Sequence, residues 1–280
     1  MDRSLITSAV SMGEIQKAMD TVANNLSNLN TTGFKQRQAV FSSLLEQNLT
    51  NQPDALVPLN RETPLGLREG TGSKVSGTKM DMAEGAIKQT DRPLDLALTQ
   101  PDQFFTIETP NSNGQAETRY TRNGAFYLSP DASNPNQMNL VTQNGAFVLD
   151  QTGKRIVLPK GTDQVTVSKT GQLQVNLQNG VQTTGSQIGV VSISKPQLLT
   201  SAGDTTFSMP SLAALKVPVA NVLTRVPAQS VSVQTGALEA SNVDLTDAMT
   251  QLTTLQRSYQ FNARAIQVTD DMMNLVNTIR

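Results

Sequence analysis

Any catalysis by this chain would have to rest on Ser, Thr, Lys and carboxylate side chains, because it contains no His and no Cys. Those two absences remove the commonest general base near neutral pH, the Ser-His and Cys-His nucleophile systems, disulfides, and imidazole or thiolate metal ligands. A Ser-Lys pair is the nucleophile arrangement that survives, and no activating spacing for one can be identified. Asp270-Asp271 is the only adjacent acidic pair in the C-terminal stretch. Adjacent residues of a helix point to different faces, so the pair suits neither metal binding nor acid-base work and reads as a solvated surface. No Walker-type or dinucleotide Gly motif occurs. The triplets Asn25-Leu26-Ser27, Asn30-Thr31-Thr32 and Asn48-Leu49-Thr50 match the N-glycosylation pattern, but such triplets arise often by chance and two lie in a packing segment. No catalytic, cofactor-binding or metal-binding residue is therefore assigned, and no cofactor is expected.

Composition narrows the classes further. With 280 residues the chain exceeds the usual single-domain size, which favours a compact core plus a second structural region. Aromatic residues make up only 4% and Trp is absent, which argues against a large aromatic-lined ligand pocket. A formal net charge of -1 without a long basic run leaves no electrostatic footprint for nucleic acid. Asp2, Glu14 and Lys17 fall where a signal peptide needs an uninterrupted apolar segment. No stretch approaches the length of a membrane-spanning helix, so direct membrane insertion is not expected.

Two long helices are predicted at the ends. Residues 242–280 contain neither Gly nor Pro, and Ser241 followed three positions later by Asp244 resembles a capping arrangement that starts a helix there. Leu245, Met249, Leu252, Leu255, Tyr259, Ala263, Ile266, Met273 and Val276 follow gaps of three, four or seven, the seam spacing of a helix packed along one narrow face. Asp270 interrupts that seam, either as a registry-setting polar position or as a solvated residue on a helix drifting out of register. At the other end Leu5, Ile6, Ala9, Met12, Ile15, Met19, Val22, Leu26 and Leu29 repeat with helical spacing before Gly33. The Asn-rich close, Asn24 to Asn30, is poor helix material because Asn competes for local backbone groups, so that end is expected to turn or fray.

Between the helices the pattern changes. Asn-Gly pairs at 113–114, 123–124, 144–145 and 179–180 sit between short β-prone stretches, including Gln103 to Thr109, Glu117 to Arg122, Ala125 to Ser129, Leu140 to Thr142 and Ala146 to Asp150. Each pair suits a two-residue hairpin turn with positive φ at both positions. The run Tyr-Thr-Arg-Asn-Gly-Ala-Phe-Tyr-Leu at 120–128 recurs as Val-Thr-Gln-Asn-Gly-Ala-Phe-Val-Leu at 141–149, which predicts successive hairpins built on one template, in a meander or small barrel. Alternation continues through Val165 and Val167, Leu173, Val175 and Leu177, and Ile188, Val190 and Ile193.

The layout is thus α+β: long N- and C-terminal helices packed together as a coiled-coil-like domain, with an inserted antiparallel all-β domain. Its parts are a helical segment at 1–41, an extended connector at 42–80, the β domain at 81–234 and the C-terminal helix at 235–280. Ordering so long a terminal helix costs more conformational entropy than burying one narrow seam returns. The termini are therefore expected to be disordered or only partly helical in the monomer and to fold on assembly.

Three groups of motifs carry a more specific likeness. Near the N-terminus they are Met19-Asp20, Ala23 to Asn28 and Asn30-Thr31-Thr32-Gly33-Phe34-Lys35. In the β region they are Pro93 to Ala97, Phe104-Phe105 and Tyr120 to Phe126. Towards the C-terminus they are Gly236-Ala237-Leu238-Glu239, Ser241 to Leu245, Gln256-Arg257-Ser258-Tyr259-Gln260 and Asn262-Ala263. Together these resemble the bacterial flagellar rod and hook axial family, and the Met-Asp-Arg start and modest length look more like rod than hook protein. One departure is local: Gln100 to Gln103 stands where the family usually has a Gly pair before the two Phe residues.

The resemblance implies a structural, non-enzymatic homo-oligomer that self-assembles into a helical tube with other rod and hook proteins. It also implies export through the flagellar type III apparatus without a cleaved signal, and assembly in the basal body outside the cytoplasmic membrane. Neither nucleic acid nor direct membrane insertion is implied. Seam and motif positions together make the expected subunit interface. From the N-terminal part come Leu5, Ala9, Met12, Met19, Val22, Asn24, Asn25, Leu26, Asn28, Asn30, Gly33 and Phe34. From the C-terminal part come Leu245, Met249, Leu252, Arg257, Tyr259, Asn262, Ala263, Ile266 and Met273. Read alone, the Asn cluster is a polar loop after a helix; with the resemblance it becomes a subunit joint. Arg257 and Tyr259 either contact a neighbouring subunit or are solvated and seam core respectively. Two rival readings fit the residues less well. A coiled-coil adhesin or tail-fibre-like oligomer would not explain the paired terminal motifs, and a His-free polysaccharide enzyme would call for clustered carboxylates and aromatic platforms.

Overall fold

The computed structural model describes residues 2–44, 46–49, 67–70, 72–110, 115–131, 134–177, 182–203, 205–210, 218 and 222–278. The chain divides into two compact units. One comprises Met1–Ser27, Arg37–Lys79 and Asp244–Arg280, the other Asn28–Gln36 and Met80–Val243. The fold is α+β, with two helices at the chain ends and a large antiparallel β region.

In the first unit, α1 (Asp2–Ser27) packs against α2 (Leu245–Thr278). The second helix starts three residues later than the expected 242, because the cap is Asp244 and not Ser241. Asp244 Oδ1 accepts from the backbone N–H of Thr246 at 2.7 Å and of Asp247 at 3.2 Å, which satisfies two of the orphan donors at the helix start. Asp270 is exposed, and Thr269 beside it is the buried residue, its hydroxyl donating to the Ala265 carbonyl at 2.8 Å. Asp270 therefore reads as solvated surface. β1 (Arg37–Ser43) pairs with β4 (Ser73–Met80), and within the 42–80 stretch β2 (Glu46–Leu49) pairs antiparallel with β3 (Leu67–Gly70).

The second unit holds β5 (Ile87–Gln89), β6 (Leu96–Leu98), β7 (Gln103–Pro110), β8 (Ala116–Thr121), β9 (Phe126–Pro130), β10 (Gln137–Thr142), β11 (Phe147–Val148) and β12 (Val157–Pro159). It continues with β13 (Thr162–Val167), β14 (Gln172–Leu177), β15 (Gln182–Gln187), β16 (Val190–Ile193), β17 (Thr200–Ser201), β18 (Thr206–Ser208), β19 (Leu223–Arg225), β20 (Val233–Thr235) and β21 (Ala237–Glu239). The main sheet runs β12-β10-β11-β7-β8-β18-β17, with β9 on β10 and with β16 joining β7 to β19. Of the two expected arrangements, meander or small barrel, the strand order departs from a simple meander, since β11 and β16 both pair with β7. The two-residue β11 covers only Ile107 and Glu108 of β7, which leaves Gln103 to Phe105 on that same edge for β16. Phe104 and Phe105 are both fully buried and, being consecutive on a strand, serve opposite faces. Phe105 meets Phe126 edge-on at 5.2 Å in the larger core, and Phe104 meets Phe207 at 5.9 Å in the smaller one.

Of the four Asn-Gly pairs, 113–114 and 179–180 lie outside the described residues, between the antiparallel partners β7 and β8 and β14 and β15. The 144–145 pair does close a hairpin, β10 to β11, but only Gly145 has positive φ, at 78°. It is part of a longer turn in which Gly145 N–H donates to the Thr142 carbonyl and Thr142 N–H to the Ala146 carbonyl. The 123–124 pair is not a hairpin turn. It joins β8 to β9, which do not pair, since β8 lies between β7 and β18 while β9 pairs with β10.

Candidate functional site

In the second unit the three sequence-distant motif groups meet at one buried carboxylate. Glu239 closes β21 and is 2% exposed, and Lys35 and Arg122 beside it are 2% and 1% exposed. Glu239 Oε1 accepts from Lys35 Nζ at 2.7 Å and from Gly85 N–H at 3.0 Å, and its backbone carbonyl accepts from Gly33 N–H at 2.8 Å. Glu239 Oε2 accepts from Arg122 Nε at 2.8 Å; Arg122 Nη2 lies equally near that oxygen but is not aimed at it. Lys35 also donates to the Ala83 carbonyl at 2.7 Å, and Arg122 Nη1 to the carbonyls of Gln100 and Gln103. Burial pushes the Lys35 ammonium below its usual value, and the Glu239 carboxylate opposes that shift. Two cations on one carboxylate are tolerable in a core because backbone carbonyls take further protons of Lys35 Nζ and Arg122 Nη1.

Gly33 is required where it stands. Its φ is +69°, and an added Cβ would lie 2.5 Å from Asn123 N and 2.6 Å from the Arg122 carbonyl carbon. Thr32 beside it donates through Oγ1 to Asn123 Oδ1 at 3.0 Å. Asn242 adds a second tie: its Oδ1 accepts from Gln36 N–H at 2.7 Å and its Nδ2 donates to the carbonyls of Asp81 and Ala83, both at 3.1 Å. Asp81 N–H in turn donates to the Gln36 carbonyl. Gln36, Asp81 and Asn242 all belong to the second unit, so one carboxamide ties together three of its sequence-distant segments. Such an arrangement holds segments in register. It offers no nucleophile poised beside a base, and among the described residues there is no cluster that could hold a metal ion.

In the first unit the site is a set of faces. Val22 and Asn25 are buried, Leu5, Met12, Met19 and Leu26 half-buried, and Ala9 and Asn24 exposed. Asn25 is inside α1 and not in a loop: its Nδ2 donates to the Arg37 carbonyl at 2.7 Å and its Oδ1 accepts from Arg37 N–H at 3.0 Å, so the amide stands in for a strand partner. Along α2, Leu252, Tyr259, Asn262, Ala263, Ile266 and Met273 are half-buried, and Leu245, Met249 and Arg257 are exposed. Asn28, Asn30, Gly33 and Phe34 belong to the second unit, with Gly33 and Phe34 buried there.

The sequence pattern also holds a stripe that the seam reading overlooked. Phe261, Val268, Met272 and Leu275 follow gaps of seven, four and three and are 45–73% exposed. Phe261, Val268 and Leu275 each lie two residues from a seam position, Tyr259, Ile266 and Met273, about 160° around the helix at 100° per residue. A helix with apolar stripes on two sides needs two sets of neighbours. The same unit carries a groove of about 430 Å³ lined by Ala18 and Val22 of α1, Ala39 and Phe41 of β1, and Thr254 and Leu255 of α2. Sequence reasoning also gave no role to Lys35, Arg122, Glu239 or Asn242. For Glu239 the signal was a lone charge inside the otherwise uncharged run Gly236 to Asn242.

Three protein-family models match the chain. They are "Flagella basal body rod protein" over residues 13–35, "Flagellar hook protein FlgE/F/G D1 domain" over 100–175 and "Flagellar basal body rod FlgEFG protein C-terminal" over 234–279. The chain is 39% identical to the flagellar hook-basal body complex protein FlhP of Bacillus subtilis, with all of both chains covered. It is 30% identical to the flagellar basal-body rod protein FlgG of the same organism, again over both full chains. FlgG of Caulobacter vibrioides is 32% identical, with 99% of each chain covered.

Proposed function

The chain belongs to the flagellar basal-body rod and hook family, and from that premise we propose that it is a structural subunit of the basal-body rod. Copies of it assemble with other rod and hook proteins into the helical tube that transmits torque to the hook and filament. The work is mechanical, and catalysis has no part in it. The chain reaches its place by export through the flagellar type III apparatus and is assembled outside the cytoplasmic membrane.

The observation that carries this reading is the pair of apolar stripes on α2. The half-buried stripe through Leu252, Tyr259 and Ile266 is served within the chain, whereas Phe261, Val268, Met272 and Leu275 are left to water. An exposed stripe of that length marks an interaction surface. In the assembled tube the terminal helices form a coiled-coil-like layer in which this stripe faces neighbouring subunits, and the expected interface residues of α1 and α2 lie in the same layer. The test is incorporation. Washed hook-basal bodies should contain the chain stoichiometrically, and Phe261→Asp with Leu275→Asp should abolish its incorporation and motility while the β region stays folded by near-UV circular dichroism. Swimming at wild-type speed by that double variant would refute the interface role of the stripe.

A further inference from the structure

The helical unit carries two apolar surfaces that one molecule cannot bring together. One is the groove of about 430 Å³, whose lining includes Val22, Leu255 and Phe41, the last 46% exposed. The other is the lower part of the α2 stripe, where Val268, Met272 and Leu275 are 45–63% exposed. Thr254 of the groove and Met272 of the stripe belong to the same helix and stand about 27 Å apart along it at 1.5 Å per residue. A continuous helix cannot fold back on itself, so a stripe of this kind that fills the groove belongs to another copy.

Charge singles out that occupant. Arg37 lines the groove, and the paired strands β1 and β4 carry Arg37, Lys74 and Lys79 and no acidic residue. The Arg37 backbone is held by the Asn25 amide, but its guanidinium has no acceptor among the described residues. Residues 265–278 of α2 have the opposite balance, with Asp270 and Asp271 and neither Lys nor Arg. Asp271 lies four residues before Leu275 and so on the edge of the stripe, exposed and without an ion pair among the described residues. The other exposed apolar pairs at i and i+4 on the helices, Ile6 with Val10 and Leu245 with Met249, fit less well. Their acidic neighbours Glu14 and Asp247 are already engaged, by Lys17 and by Gln251.

We propose that Val268, Met272 and Leu275 of one copy seat in the groove of the next, with Asp271 facing Arg37. The contact sets a helix against β1 and two helices, and is not stripe against stripe. It deepens the rod-subunit reading and rests on it. Apolar burial supplies the attraction and the charge pair fixes the register. Because the two joined patches differ, every copy in contact still offers one open groove or one open stripe. The contact therefore propagates head to tail into an open assembly and does not close a dimer.

The chain has no Cys, so introduced thiols are unique. The full chain carrying Ala39→Cys and Met272→Cys replaces the wild type in its own bacterium, and hook-basal bodies are treated with a short bismaleimide. The expected product on a denaturing gel is a ladder of dimers, trimers and larger species that join position 39 to position 272 by mass spectrometry. Either single variant should stay monomeric. Gln38→Cys with Leu275→Cys is the second pair, for a subunit that does not tolerate the first. Recovery of the chain in basal bodies with no ladder from either pair, or with links to another protein or segment, overturns the groove contact and leaves the rod reading intact. Absence of the Cys-free chain from basal bodies overturns both. Arg37→Asp and Asp271→Arg should each lower incorporation about tenfold by setting like charges together, and the two combined should restore it to within about twofold. A combined variant no better than the single ones would overturn the proposed contact.

Discussion

Residues 121–126 and 142–147 differ at one position, Arg122 against Gln143, yet they do opposite things. The second copy is an open turn closing a hairpin: an added Cβ on Gly145 would touch nothing within 4 Å, and Gln143 and Asn144 are exposed. The first copy is buried and crosses between unpaired strands. Its arginine reaches Glu239, and an added Cβ on Gly124 would lie 1.8 Å from the Leu96 carbonyl oxygen. An Asn-Gly pair is permission to turn, and the neighbours decide whether the chain uses it. The arginine supplies the strongest pull, because a buried guanidinium must find a carboxylate and carbonyls wherever they lie.

That contrast can be broken most severely at the carboxylate. Glu239→Ala should leave two buried cations without their partner and destabilise the β unit by about 3–5 kcal/mol, read from urea midpoints. Next comes Gly124→Ala, for which the clash with Leu96 predicts a loss of about 3 kcal/mol. Gly145→Ala, with open space but φ at +78°, should cost only about 1–2 kcal/mol; equal losses at the two glycines would erase the distinction between the copies. A reciprocal exchange sharpens it. Arg122→Gln should be strongly destabilising, while Gln143→Arg, on the exposed turn, should change stability by less than about 0.5 kcal/mol.

The smallest effect belongs to the helical unit and to acid. Glu14 accepts from Lys17 Nζ at 2.8 Å and from Val75 N–H at 2.6 Å, and these bonds, the lysine's first, hold its carboxyl below the usual glutamate value. A depressed folded value means the stabilisation is present above the unfolded pKa and is lost as pH falls through the folded one. Glu14→Gln should therefore flatten the acid-induced loss of that unit in assembled chains below about pH 4.3 and leave the β unit's acid response unchanged. Amide exchange completes the comparison of the units: a verified monomer should exchange rapidly over residues 245–276 and slowly in β7. Strong protection of the helix in the monomer would refute folding on assembly.

Much of the molecule was legible in the residues. The spacing of Leu252, Tyr259 and Ile266 announced a helix, alternation at Leu173 and Val175 announced strands, and the missing His and Cys removed whole classes of chemistry. These are local matters, set by the periods of 3.6 and 2 and by what a side chain can do. The family, too, was carried by short motifs at both ends and in the middle. Hidden from the sequence were the partners of lone polar residues. Nothing local says that Lys35, Arg122 and Glu239 share one site, that Asn25 stands in for a strand, or that Asp244 and not Ser241 caps α2. Nor does anything local tell the Asn-Gly pair at 123–124 from the one at 144–145. Those outcomes depend on which distant groups arrive in the same buried place, where an unpaired charge or amide is too costly to leave alone, and only the tertiary structure decides that.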